Sequence, residues 1–300
     1  MEIVLHFLRA LLLAVAAAVT VSYIIRRYEI GNRDTNAAGA GSMSAAQRTL
    51  GIAEEILATF LVVLFYPLGY VLKECSRTGL RWGERPIILC HGYNHNKSAF
   101  VILGHRLRNA GWNNLVAPNF GPASESIPCF AGQLSEKVKQ AMSQTGCDKV
   151  DLIGHSMGGL VVRYFIEKLG GSCCVETAIT LGAPHRGTKM AALGIFRSAR
   201  QFRPDSDLIK DLCETPHQHN AVNMVSIWSE FDNIVLPPEN ALLPEPANAI
   251  MIQNVGHIAM LFSGKVFAEV RKTLSRGVGS RKLIVEGPEG LDYKNSRNQT

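Results

Sequence analysis

Ser156 stands in Gly154-His155-Ser156-Met157-Gly158, a G-x-S-x-G pattern. Three fixed residues recur by chance, so the flanks decide what the pattern means. The apolar run Val150-Asp151-Leu152-Ile153 leads in, and an apolar stretch from Met157 to Leu169 leads out. A serine between a strand and a helix sits in a sharp, strained turn that exposes its hydroxyl. Glycines on both sides let strand and helix approach each other. The first N–H groups of the helix then face the place where an oxyanion would develop. The chemistry this predicts is nucleophilic attack on a carbonyl.

A serine hydroxyl is a poor nucleophile until a base takes its proton. In this setting the partners follow downstream in the order serine, acid, histidine. Of nine histidines, His185, His217, His219 and His257 lie well beyond Ser156. His257 follows the last apolar run, and a site on an α/β sheet forms at strand ends. His185 also follows such a run, in Ala183-Pro184-His185, but no acid lies in a strand-end loop between it and Ser156. His257 is therefore the candidate base. Ser229-Glu230-Phe231-Asp232-Asn233 follows the fifth run, which makes Asp232 the first candidate acid and Glu230 the second. A carboxylate there would fix the imidazole tautomer and stabilise its charged form. The bland alternative for Asp232 is a turn-forming Asx hydrogen bond. The candidate oxyanion donors are the N–H groups of Met157 and of Tyr93 in His91-Gly92-Tyr93. His91 itself reads as a structural buttress of that loop.

These residues need a scaffold, and the chain supplies one. Short apolar runs at 86–92, 114–120, 149–154, 175–182, 223–228 and 249–255 have strand character. Helical patterns separate or close them near 100–110, 134–141, 157–169 and 258–274. Apolar strands alternating with helices predict an α/β fold, a mostly parallel sheet with helices on both faces.

The motifs HGYNHN, GHSMGG, LGAPHRGT, SEFDNIV and NVGHIAML occur in order. Together they resemble the lipase and esterase family of the α/β-hydrolases, most closely the compact bacterial triacylglycerol lipases, from about Pro86 to Leu274. The resemblance implies Ser156, Asp232 and His257 as a triad, with Tyr93 and Met157 as oxyanion donors. It implies ester hydrolysis through an acyl-enzyme with no cofactor or metal; lipid esters are the expected substrate because of the N-terminal apolar runs, with other esters as the alternative. Phospholipase, thioesterase and acyltransferase chemistry would suit the same residues, and a non-catalytic scaffold is the alternative from another class. The sequence departs from the family in two ways. The domain begins at what would be the family's third strand, so the sheet should have about six strands. Two N-terminal apolar runs are absent from the secreted members, so secretion does not transfer.

The first of those runs, from Ile3 to Ile25, is closed by Arg26-Arg27 and reaches the ~20 residues of a spanning helix. A cleaved signal peptide would show small residues directly after the apolar stretch, where the arginines stand. Residues 1–27 are therefore expected to be a transmembrane anchor and 28–54 a linker. The second run, within 55–74, is expected to be a second transmembrane helix, with a buried or interfacial helix packed on the following domain as the alternative. Residues 86–275 would form the catalytic domain and 276–300 a loose tail. The expected location is a membrane, by analogy that of a bacterial cell. The flanking arginines and lysines do not choose a side. The segment 188–220 reads as a surface helix pair or as a lid over an acyl pocket.

Composition agrees with this reading. Hydrophobic residues make up 47% and charged residues 19% of 300, which excludes a disordered chain. The net charge of +6 is spread along the chain, which argues against nucleic acid as a partner. Seven cysteines form no C-x-x-C pair and read as small buried hydrophobes.

Overall fold

A computed structural model describes residues 1–32, 43–74, 79–214, 222–244 and 249–276. Part of the expected linker, Cys75, His217, His219 and the expected tail beyond Arg276 lie outside the described residues. Three helices come first: α1 (Glu2–Gly31), α2 (Ala45–Phe65) and the short α3 (Leu68–Val71). The alternating part follows with β1 (Ile87–Cys90), α4 (Val101–Asn109), β2 (Leu115–Val116), α5 (Ile127–Thr145), β3 (Val150–His155) and α6 (Met157–Lys168). It continues with β4 (Val175–Leu181), α7 (Arg197–Gln201), α8 (Asp207–Glu214), β5 (Asn223–Trp228), β6 (Ala249–Met251) and α9 (Gly264–Arg276).

The six strands form one sheet in the order β2-β1-β3-β4-β5-β6, and each neighbouring pair is parallel. Every residue of β1 and β3 is buried, as expected of strands covered on both faces. On one face α5 and α6 pack through Phe130, Leu134, Leu160 and Phe165. On the other α4 and α9 pack through Leu103, Leu107, Val266 and Val270. Local chemistry sets the helix ends: Ser126 caps α5 by accepting from Cys129 N, and Gly146 ends it at φ 67°. The outer strands are shorter than their apolar runs suggest. β2 keeps only Leu115–Val116 of the expected 114–120, because Pro118 cannot donate to a ladder.

The N-terminal region differs most from expectation. Among the described residues, only α1 is long and apolar enough to cross a bilayer. The second apolar run is not a separate helix over 55–74. Its first part belongs to α2, which begins at Ala45, inside the expected linker, and ends at Phe65, and its last part forms α3. A reciprocal cap starts α2: Ser44 Oγ accepts from Gln47 N, and Gln47 Oε1 accepts from Ser44 N. Its face of Gly51, Glu55, Ala58 and Val62 is buried, and Ala58 joins the core cluster beneath the sheet. Burial of this face is the kind of packing the alternative reading describes. α1 lies against α2 and reaches the sheet-bearing part of the chain as well. Tyr23 packs on Phe231 at 4.8 Å, and Val15 and Val19 share that cluster. Arg26 stacks over Phe231 at 5.2 Å and donates to the Glu230 carbonyl, while Glu29 pairs with Lys189.

The cysteine reading holds in part. Cys90 is buried, whereas Cys173 and Cys213 are exposed, and the six described cysteines are unbridged.

Candidate active site

Ser156 lies between the end of β3 and the start of α6, with φ 55° and ψ −126°. Positive φ is costly for a residue with a side chain and persists only where the surroundings enforce it. Here Ser156 N donates to Leu181 O of β4 at 2.9 Å. A Cβ on Gly154 would lie 2.6 Å from Gly158 O, so strand and helix touch through backbone. A Cβ on Gly158 would lie 2.1 Å from Cys90 O and 2.7 Å from His91 O. Those atoms belong to β1 and the loop after it, and they cannot swing aside. Gly158→Ala is expected to cost at least about 1–3 kcal/mol by overpacking. It should lower the melting temperature by several degrees and impair turnover, because the displaced loop carries Tyr93. An unchanged melting temperature would show that the turn is looser than this.

The loop after β5 presents Asp232, which is 1% exposed. Its two oxygens have separate tasks. Oδ1 accepts from Ile234 N at 2.7 Å and Val235 N at 2.8 Å, while Oδ2 accepts from His257 Nδ1 at 2.8 Å. The Asx turn and the contact with the base therefore coexist. Asp232, not Glu230, meets the imidazole. His257 is buried, with its N donating to Asn233 Oδ1 at 3.2 Å and its O accepting from His155 Nε2 at 3.1 Å. With Nδ1–H directed at Asp232, Nε2 is left to accept a proton. Burial alone would lower the pKa of His257. The charge and hydrogen bond of Asp232, with a smaller contribution from Glu55, raise it instead.

Gly92 lies against the serine, since its Cβ would be 3.0 Å from Ser156 Cβ. That brings the expected Tyr93 N–H to the same turn as Met157, whose N–H opens α6 and has no partner within the helix. The Tyr93 side chain has a role that sequence reasoning missed. Its hydroxyl accepts from Ile195 N at 3.1 Å and Phe196 N at 3.2 Å, and its ring packs on Phe202. His91 buttresses its loop as expected, accepting from Phe120 N through Nε2 at 3.0 Å. Burial pushes its pKa down to about 4, which keeps it neutral. The runner-up base, His185, is buried elsewhere against Thr180 Oγ1 at 2.9 Å.

A cavity of about 340 Å³ opens over Ser156 and His257. Its apolar wall includes Met190, Ala191, Leu193 and Phe202 of the 188–220 segment, which supports the acyl-pocket reading of that segment. Leu193 and Ile195 are exposed near its rim. Val19 and Ser22 of α1 and Glu55 and Thr59 of α2 also line it. Ser22 Oγ accepts from Asn233 Nδ2 at 2.7 Å, so α1 holds the residue that receives the His257 N–H.

None of these N-terminal residues was found as a site residue from the sequence. One signal was present. Gly51, Glu55, Ala58 and Val62 follow helical spacing, which places a carboxylate in an apolar stripe.

Known proteins of similar sequence and fold include lipases and a thioesterase family. Residues 86–233 match the Palmitoyl protein thioesterase family. A triacylglycerol lipase of Pseudarthrobacter phenanthrenivorans is 38% identical over 113 residues, covering 35% of this chain and 35% of that protein. Triacylglycerol lipase 2 of Saccharomyces cerevisiae is 36% identical over 123 residues, covering 40% and 35%. The chain thus spans about a third of the length of these relatives. Among solved structures, mature Bacillus licheniformis lipase BlEst2 superposes with TM-score 0.54 at 17% identity, covering 64% of this chain and 91% of that one. Aspergillus fumigatus lipase B gives 0.52 at 18%, covering 64% and 53%. With a parallel six-stranded sheet and a serine in the strand-to-helix turn, the chain has the fold of these lipases, and it is similar over part of its length both to triacylglycerol lipases and to the Palmitoyl protein thioesterase family.

Proposed function

We propose that the protein is a serine hydrolase that cleaves carboxylic esters of lipids while held in a membrane by α1. The observation that carries this is the 2.8 Å bond from His257 to Asp232 beside a strained Ser156, at the floor of a largely apolar cavity. Ser156 Oγ attacks the ester carbonyl as His257 Nε2 takes its proton. The N–H groups of Tyr93 and Met157 stabilise the oxyanion. His257 returns the proton to the leaving alcohol, and water repeats the sequence on the acyl-enzyme. The apolar lining suits an acyl chain. The exposed face of α1 suits a bilayer, and a tethered enzyme meets membrane esters at high effective concentration.

A second reading has its own support. The matched family is described by thioester cleavage, and the same attack on a thioester expels a thiolate in place of an alcohol. One experiment addresses both. The detergent-solubilised full chain is treated with a fluorophosphonate, the adduct is mapped by mass spectrometry, and the active protein is assayed on matched palmitoyl esters and thioesters. The expected adduct is on Ser156, with ester turnover exceeding thioester turnover. An adduct with the reverse preference would favour the thioesterase reading. A folded protein that takes up no probe would favour a non-catalytic scaffold.

A further inference from the structure

Glu55 lies outside the segment that resembles the lipases, yet it reaches the loop that carries His257. Its side chain is almost fully buried, with the residue 1% exposed. Oε1 accepts from Ile258 N at 2.9 Å, and Oε2 accepts from Ala259 N at 2.8 Å. These are the two N–H groups that directly follow His257. On its other side, a Cβ on Gly256 would lie 2.4 Å from Glu55 Oε2 and 2.7 Å from the Tyr23 hydroxyl. The carboxylate therefore closes over residues 256–259, with room for nothing larger than glycine at 256. No cation pairs with it among the described residues. Keeping an unpaired carboxylate out of water is costly, and an apolar residue would pack α2 on the domain without that cost.

We infer that Glu55 is a positioning residue for His257, clamping the loop that holds the imidazole and adding a second negative charge beside it. This rests on the reading of Ser156, Asp232 and His257 as a triad. Imidazolium forms when Ser156 gives up its proton, so a nearby negative charge favours that step. The charged and titratable groups around Glu55 are His257 and Asp232 from the strand-end loops and Tyr23 from α1. Arg26, the nearby cation of α1, is engaged with Phe231 and the Glu230 carbonyl.

The signs follow from burial and charge. Burial pushes the Glu55 pKa up to about 7, against the two N–H bonds and the charge of His257. As pH falls through that value, the carboxyl gains a proton and presents an O–H where one N–H needs an acceptor. His257, raised mainly by Asp232, also becomes protonated on the acid side and ceases to act as a base. Both changes remove activity as pH falls. A glutamine at 55 has no charge to lose, and it withdraws one of the charges that raise His257.

The test is the pH profile of p-nitrophenyl butyrate hydrolysis by the detergent-solubilised full chain. Wild type is compared with Glu55→Gln, Glu55→Asp and the exposed-neighbour control Glu54→Gln. Glu55→Gln is expected to lower the plateau of kcat by at least about tenfold. Its acidic limb should move down by about half a pH unit or more. Glu55→Asp, which keeps the charge but shortens the reach, should lose plateau activity and retain the limb. Glu54→Gln should match wild type. An unshifted limb in Glu55→Gln, with or without a lower melting temperature, would overturn the inference. Should Glu55→Gln not fold, a Glu55→Asp variant with full activity would overturn it equally. Wild type that neither hydrolyses the ester nor takes up fluorophosphonate would refute the triad reading, a separate outcome.

Discussion

Replacing Ser156 with alanine is expected to lower ester turnover by about 10⁶-fold, the scale seen when a triad nucleophile is removed. The protein should otherwise be intact. The elbow is held by backbone, through the Ser156 N–H to Leu181 O bond and the close approach of Gly154 and Gly158, and alanine keeps all of it. Alanine also tolerates φ 55° no worse than serine, since both carry a Cβ. The oxyanion N–H groups and the cavity remain, so a residual rate above that of water alone should persist. The check is to measure turnover and melting temperature on the same preparation. Retained hydrolysis with an unchanged melting temperature would sink the assignment of the nucleophile.

Asp232→Asn should be nearly as damaging, at about 10⁴-fold in kcat. The local hydrogen bonds say why. Oδ1 of Asp232 already accepts two N–H groups, from Ile234 and Val235. An asparagine will keep its oxygen there, because turning the amide would set its NH₂ against two donors. The NH₂ must then face His257 Nδ1, which forces that nitrogen to accept and places the ring proton on Nε2. In that tautomer the imidazole cannot take the serine proton. Glu230→Gln should stay within a few-fold of wild type, since Glu230 contributes its backbone carbonyl to Arg26. The reverse pattern, with Glu230→Gln crippling and Asp232→Asn mild, would show that the wrong acid has been assigned.

What the sequence revealed depended on whether local pattern and spatial outcome coincide. They coincide at Ser156. The glycines, the strand before and the helix after are contiguous, so one stretch of chain reports the whole turn. Asp232 and His257 are distant in sequence, but strand order confines both to loops at one end of the sheet, and the downstream order picks them out. His185 shows the limit of that logic. It too follows a strand, and the missing acid before it set it aside in the sequence, while the structure buries it against Thr180. The N-terminal region failed for a different reason. A composition of small polar residues reads as a linker, yet Ser44 and Gln47 form a helix cap within it, in the S-x-x-Q spacing. With that boundary missed, Glu55 read as the edge of an apolar run. It is instead one member of a buried stripe facing a domain that begins some thirty residues later. Periodicity identifies which face of a helix is buried. It does not say against what.

The wall that α1 gives the cavity, through Val19 and Ser22, makes the helix proposed as an anchor a part of the site as well. Removing α1 would open one side of the cavity to water and strip Asn233 of the hydroxyl that orients it. A chain without that helix would carry Ser156 in a flooded, half-built groove. On the proposed function, the helix that would moor the protein also completes its cavity, so cutting it away is expected to abolish ester turnover.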